Sequence, residues 1–288
     1  MRRRRFLTLA AAFACAPRLS QAATWSGIAL GAEVSVTLRG PRDEVHAALR
    51  DIPVILDRVE AAFSIYRENS EVSILNRTGR LIPSAVFRDL VAEVDRAHAL
   101  TDGLFDPTVQ PLWRALAAGG DLAAARDLIG WDRVRRGDEI ILGSGQALTF
   151  NGIAQGYATD LVRDHLKARG ASEALVNIGE FQALGGPFRL GLTDPDAGHL
   201  GQRSLQDGAI ATSSPGAMRL GTGGHILSPD GRAPLWSTLS VEAPRATLAD
   251  ALSTAGVFMD LDALRDLKAG AGLSRITCVA QNGDLRTI

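Results

Sequence analysis

Apolar and polar positions alternate singly through Glu33-Val34-Ser35-Val36-Thr37-Leu38, the period-two pattern of a strand with one buried face. The period then changes. Between residues 43 and 62 the apolar positions Val45, Leu49, Ile52, Leu56 and Val59 recur every three or four residues, which predicts a helix. Pro53 lacks the N–H that a helix interior needs, so this helix is expected to kink or divide near it. Ser84 stands as an N-cap ahead of Phe87, Leu90, Val91 and Val94, spaced i, i+3, i+4 and i+7, and Thr101-Asp102-Gly103 ends this second helix.

Residues 147–150 read as a strand feeding a helix with Ala154, Tyr157, Ala158, Leu161, Val162 and His165 on one face. Gly170 closes that helix, and residues 174–178 read as the next strand. Shorter strands are expected at 188–192, 209–212, 239–243 and 276–280. Helices and antiparallel-looking strands mix without strict βαβα alternation, so the expected class is α+β rather than a doubly wound sheet.

The first residues carry a different signal. Arg2 to Arg5 precede an apolar run from Phe6 to Cys15 and the small-residue stretch Ser20-Gln21-Ala22-Ala23. That order predicts an export signal over residues 1–22, cleaved after Ala22, and R-R-x-F-L has the form of the twin-arginine type. The run is too short to span a bilayer. Lipidation at Cys15 is the weaker alternative, because Ala12, Phe13 and Ala14 make a poor lipobox. The expected location is therefore periplasmic, with residues 23–288 as one globular unit.

Losing that segment removes five arginines and takes the formal charge from −1 to −6, which argues against a nucleic-acid partner. With 46% hydrophobic residues the remainder suffices for one large core, and no second apolar span follows. Only Cys278 is left of two cysteines, in an apolar strand-like run, so no disulfide framework or thiolate metal site can be built.

Four segments are too polar or too glycine-rich for packing alone to explain. Asn151-Gly152-Ile153-Ala154-Gln155-Gly156-Tyr157 places glycines and free helix amides at a strand-to-helix junction, which suits a phosphate but is also an ordinary turn. Thr247-Leu248-Ala249-Asp250 has the form of a capping box, and Asp250 and Thr254 share one helical face. Their carboxylate and hydroxyl suit Mg2+, although in isolation a helix-capping acid is the more ordinary reading of Asp250. His225, before Ile226-Leu227-Ser228-Pro229-Asp230-Gly231, is an imidazole beside a tight turn, a structural group or a base. Asp106-Pro107-Thr108 places an acid and a hydroxyl in a loop, which by itself is a turn.

What distinguishes these segments is their joint order. Phe63-Ser64-Ile65-Tyr66-Arg67 and Ser70 to Asn76 come first, followed by Gly103 to Val109 and Gly152 to Asp160. Leu175-Val176-Asn177-Ile178-Gly179, Asp194-Pro195, Ala211 to Ser214, His225 to Gly231 and Ala249 to Thr254 complete the series. Over most of residues 25–260 this series resembles the ApbE family of FAD:protein FMN transferases. The resemblance implies a single ApbE-like, T-fold-like unit, with mixed or antiparallel sheets flanked by helices. It further implies a Mg2+-dependent enzyme that takes FMN from FAD, attaches it to a threonine or serine of an acceptor flavoprotein and releases AMP. It assigns the metal to Asp250, Thr254 and a backbone carbonyl of the Gly152 to Ala154 turn, taken as that of Ala154. His225 becomes a candidate general base or phosphate-positioning group, and Asp250 and His225 the catalytic pair. The FAD pocket would draw on Ser64, Tyr66, Asn76, Asp106, Gln155, Gly156, Tyr157, Asp160, Ser213 and His225.

Gln155 stands where many members carry lysine, Gly179-Glu180-Phe181 replaces Gly-Gly-Asp, and Ser213-Ser214-Pro215 replaces Ser-Gly. With one carboxylate, the metal site is expected to fill weakly before nucleotide arrives. The acceptor is expected to be a membrane-anchored redox subunit with an exposed threonine or serine. The Gln155 region together with the signal resembles members associated with nitrous oxide reductase maturation. The competing readings are a pyrophosphatase splitting FAD into FMN and AMP, and a flavin-binding protein without turnover.

Overall fold

Eight strands stand side by side in the order in which the chain makes them, each antiparallel to its neighbours. They are β1 (Ala22–Ala29), β2 (Ala32–Arg39), β3 (Glu173–Asn177), β4 (Phe181–Leu184), β5 (Ala209–Ser213), β6 (Trp236–Ala243), β7 (Arg275–Ala280) and β8 (Leu285–Thr287). The computed structural model describes residues 22–40 and 42–288, with backbone alone at 42–44. Apart from Ala22, which opens β1, the expected export signal lies outside the described residues.

The helices enter as excursions from this sheet. Between β2 and β3 come α1 (Arg42–Arg50), α2 (Ile52–Phe63), α3 (Glu71–Thr78), α4 (Ala85–Leu100), α5 (Gln110–Ala118), α6 (Leu122–Arg126) and α7 (Ala154–Ala168). Between β6 and β7 come α8 (Ala246–Gly256) and α9 (Leu261–Ala271). No helix among the described residues is long and apolar enough to cross a membrane.

Period-two patterning decides which layer each face meets. In β2, Val34, Val36 and Leu38 are buried against the helices, as are Ala174 and Val176 in β3. Between those two, Leu175 faces the other way, into a smaller cluster formed with a two-stranded ribbon, Phe188–Asp194 paired with Gly198–Leu205. The main core is centred on α2, α4, α7 and α8, where Phe63, Phe87 and Phe150 pack with ring centroids 5.1–5.3 Å apart.

The local signals behave as their chemistry requires. The long helix divides at Asp51, and Pro53 occupies the first turn of α2, where a missing N–H costs nothing. Ser84 caps α4, its Oγ accepting from the Phe87 N–H at 3.2 Å. Gly170 takes a φ of 85° just past α7. Cys278 is a buried free thiol in β7.

Two expectations fail for physical reasons. Residues 147–150 form no strand, because no neighbouring strand offers a ladder. The side chain of Asn76 takes that place: its amide nitrogen donates to the Leu148 carbonyl at 2.8 Å, and its oxygen accepts from the Leu148 N–H at 2.6 Å. Nor does Thr247 form a capping box with Asp250. Arg245 is the N-cap residue of α8 and makes no side-chain cap, and the amides of that first turn are satisfied by a carboxylate from another helix.

Candidate functional site

That carboxylate is Asp160, on α7. It is 1% exposed and accepts from the Ala246 N–H at 3.0 Å, the Thr247 N–H at 2.9 Å and the Thr247 hydroxyl at 2.6 Å. Asp250, on α8, returns the contact: its Oδ2 accepts from the Gly156 N–H in the first turn of α7 at 2.9 Å. Each helix thus lends a carboxylate to the N-terminus of the other, where free amides and the helix dipole both favour negative charge. Arg245 bonds to Asp164 at 2.9 Å and lies 3.3 Å from Asp160, which ties the pair at the solvent side.

Gly156 makes this crossing possible. A Cβ there would lie 2.3 Å from the Ala246 carbonyl oxygen and 2.8 Å from the Asp250 Cβ, so α7 and α8 meet through bare backbone.

The crossing forms the floor of a cleft of about 1370 Å³. This exceeds the roughly 300–1,000 Å³ of ordinary small-ligand pockets. Ala154, Gln155, Asp250 and Thr254 line its floor, and Ser213, the last residue of β5, with Ser214 just beyond it, forms one wall. His225 and Ile226 come from the β5–β6 connection, and Ser64, Tyr66 and Asp106 from the long β2–β3 excursion.

Oxygen atoms dominate the floor. The Thr254 hydroxyl lies 3.5 Å from the Gly152 carbonyl and 3.4 Å from the Ser213 hydroxyl, which in turn is 2.8 Å from that of Ser253. Asp250 is 4% exposed, and burial pushes its pKa up to about 7. Glu180, 8% exposed, lines the same cleft; its Oε2 accepts from the Thr212 N–H at 3.0 Å. Burial, and the nearby charge of Asp250, hold Glu180 well above the usual carboxylate range. Among the described residues neither carboxylate has an ion-pair partner.

His225 lies within hydrogen-bond reach of the Met218 carbonyl through Nδ1, at 3.3 Å. When Nδ1–H donates there, Nε2 carries the lone pair of the neutral ring. Tyr66 is 62% exposed at the cleft mouth, on a segment anchored by Ser70 and Ser73, whose hydroxyls donate to the Ser64 carbonyl at 2.7 and 3.3 Å. Asp106 faces the cleft, yet its oxygens are occupied by the N–H and hydroxyl of Thr108 at 2.7 and 2.5 Å and by the Trp131 N–H at 3.1 Å.

Of the residues expected at the site, Ala154, Asp250, Thr254, Ser64, Tyr66, Asp106, Gln155, Ser213 and His225 therefore line one cleft. Asn76, Gly156, Tyr157 and Asp160 stand behind its wall. Asn76 pins residue 148, Gly156 and Asp160 set the helix crossing, and Tyr157 packs edge-on to Phe63 with ring centroids 6.0 Å apart. Glu180 was not among the expected site residues. Its sequence signal is the departure from the family pattern, Gly179-Glu180-Phe181 in place of Gly-Gly-Asp, and nothing local reveals that β5 and α8 enclose it.

The family model described as the ApbE family matches residues 30–276. An FAD:protein FMN transferase of Treponema pallidum is 29% identical over 269 residues, covering 77% of this chain and 74% of that protein. One from Vibrio cholerae is 30% identical over 194 residues, covering 57% and 56%. Among solved structures, the apo flavinyl transferase ApbE of Pseudomonas stutzeri superposes with a TM-score of 0.80 at 27% identity, covering 93% of this chain and 94% of that one. The ApbE protein of Thermotoga maritima, at 24% identity, shares the fold with a TM-score of 0.81 over 92% and 96%.

Proposed function

The chain belongs to the ApbE family, and on that premise we propose that it moves the FMN moiety of FAD onto a threonine or serine hydroxyl of an acceptor flavoprotein, with release of AMP. The observation that carries this reading is the convergence of Asp250, Thr254 and the Gly152 carbonyl on the floor of a cleft too large for a small ligand alone.

In the reaction, the acceptor hydroxyl oxygen bonds to the phosphorus on the FMN side of the pyrophosphate. The bond from that phosphorus to the bridging oxygen breaks, and AMP leaves with the electron pair. The hydroxyl proton passes to Nε2 of His225, the ring being oriented through Nδ1 by the Met218 carbonyl.

Carboxylate, hydroxyl and carbonyl oxygens are the donors that Mg2+ takes, so the residues present fit this ion. Asp250, Thr254 and a carbonyl of the Gly152 to Ala154 turn would hold it; of those carbonyls, that of Gly152 is the one 3.5 Å from the Thr254 hydroxyl. When bound, the ion neutralises charge on the pyrophosphate oxygens and on the leaving AMP. The Gly156 N–H occupies one oxygen of Asp250 and fixes the direction of the other. A cleft of this volume would leave room beside a dinucleotide for an extended acceptor segment, and exposed Tyr66, among its lining residues, is placed to meet one.

The N-terminal signal pattern supports a periplasmic setting, and hence an acceptor exposed on that side, such as a membrane-anchored redox subunit. The test is AMP release from FAD, followed by chromatography. With Mg2+ and an acceptor domain carrying an exposed threonine, AMP should appear in proportion to acceptor. Equal release without acceptor would instead favour a pyrophosphatase.

A further inference from the structure

We propose that Glu180 is a second carboxylate ligand to the metal at Asp250, so that this chain binds a divalent cation before any nucleotide arrives. The proposal rests on the reading of Asp250 and Thr254 as the metal site. Three observations carry it.

The first is the state of the oxygens. Glu180 and Asp250 are each more than nine-tenths buried, and each spends one oxygen on a backbone N–H, of Thr212 and Gly156 respectively. Oε1 of Glu180 and Oδ1 of Asp250 have no hydrogen-bond partner among the described residues, although both residues line one cleft. Both oxygens open onto that cleft rather than into sealed protein, so they are the atoms of these two buried side chains that a cation entering the cleft can reach.

The second is placement. Thr212, which holds Glu180, immediately precedes Ser213, whose hydroxyl lies 3.4 Å from that of Thr254. On the other side, the Thr159 hydroxyl donates to the Gln155 carbonyl at 2.8 Å and lies 3.3 Å from the Glu180 carbonyl, joining the Glu180 backbone to the first turn of α7. Gly179 has a φ of 89°, and a Cβ there would lie 2.5 Å from the Gln155 side chain. The Glu180 side chain is therefore held by β5 and its backbone by the first turns of α7, the elements that also carry Ser213 and Gln155 into the cleft.

The third is charge. Neither acid is ion-paired to an arginine, lysine or histidine among the described residues, and the pyrophosphate of FAD is itself anionic. Two buried acids facing an anionic ligand are reconciled by a cation between them.

The test is Mn2+ binding to nucleotide-free protein, read by electron paramagnetic resonance of the free ion and repeated with Mg2+ by calorimetry. Wild type should bind one Mn2+. Glu180→Gln, which keeps an oxygen for the Thr212 N–H, should weaken binding roughly 10–100-fold, the scale seen for groups that support metal ligands. Asp250→Ala should abolish it. Wild-type affinity in Glu180→Gln with loss in Asp250→Ala would overturn the role of Glu180 and leave the Asp250 site standing. Undiminished binding in both variants would overturn the metal site as well. No binding by the wild-type protein without nucleotide would also refute the proposal. Should Glu180→Gln fail to fold, Glu180→Asp keeps the charge on a shorter reach and should show weaker Mn2+ binding at an unchanged melting temperature; wild-type affinity there refutes the proposal.

Discussion

Replacing Gly156 with alanine tests the helix crossing on which the site depends. The added Cβ would lie 2.3 Å from the Ala246 carbonyl oxygen, 2.7 Å from its carbon and 2.8 Å from the Asp250 Cβ. Carbon atoms in good contact sit about 3.5–4.0 Å apart, so α8 must withdraw by roughly 1 Å. Overpacking of this kind costs about 1–3 kcal/mol. Withdrawal also stretches the 2.9 Å bond from the Gly156 N–H to Asp250, a charge-assisted bond of roughly 1.5–3 kcal/mol. The two losses overlap, and alanine regains about 1 kcal/mol of helix propensity, which leaves a net loss near 3 kcal/mol. For a domain of this size that lowers the melting temperature by about 6–12 °C. Calorimetry and Mn2+ affinity should both register the change, since the displaced residue is the proposed ligand. Gly152→Ala is the comparison for stability alone: its Cβ would meet the Thr254 side chain at 3.0 Å rather than a helix backbone, so the loss should stay at about 1 kcal/mol, while metal affinity should fall because Thr254 is a proposed ligand. A Gly156→Ala protein melting within about 2 °C of wild type with unchanged metal affinity would refute the crossing argument.

Asp160→Ala removes three hydrogen bonds from the start of α8 and should destabilise the protein by about 3 kcal/mol in urea unfolding, while Asp160→Asn, retaining an acceptor, should lose less. Asn76→Ala should cost roughly 2 kcal/mol, because both backbone groups of Leu148 lose their partner; an unchanged denaturation midpoint would count against that pin. The pH dependence of metal-free protein follows from Asp250 and Glu180, whose pKa values burial raises, that of Asp250 to about 7. A carboxylate with a raised folded-state value keeps its proton longer in the folded than in the unfolded chain. Its contribution to stability is therefore lost as pH rises from about 4, the unfolded value, through about 7. In EDTA these two groups should lower the melting temperature at pH 8 relative to pH 5, an effect that Asp250→Asn with Glu180→Gln should diminish and that Mg2+ should narrow. A pH effect unaltered by that double substitution would contradict the assignment.

Much of the architecture is written locally. The i, i+3, i+4, i+7 spacing of Phe87, Leu90, Val91 and Val94 marks α4 because a helix brings those positions onto one face whatever surrounds it. Asp250 and Thr254 are legible together for the same reason, four residues apart on α8. What local pattern does not reveal is which partner satisfies a backbone group. Residues 147–150 have the composition of a strand but meet the Asn76 side chain rather than a ladder, and the apparent cap at Thr247 is replaced by Asp160, 87 positions away. Glu180 shows the same limit at the site: its burial arises only where β4, β5 and α8 meet, and no spacing within its own segment encodes that meeting.

Transfer of FMN from FAD to a protein hydroxyl can be read by intact-mass analysis of a flavoprotein domain with an exposed threonine, incubated with this protein, FAD and Mg2+. The acceptor should gain the mass of one FMN moiety, and the gain should disappear without Mg2+, in Asp250→Ala, and when the acceptor threonine is replaced by alanine. An acceptor of unchanged mass beside FAD split to FMN and AMP would contradict transfer.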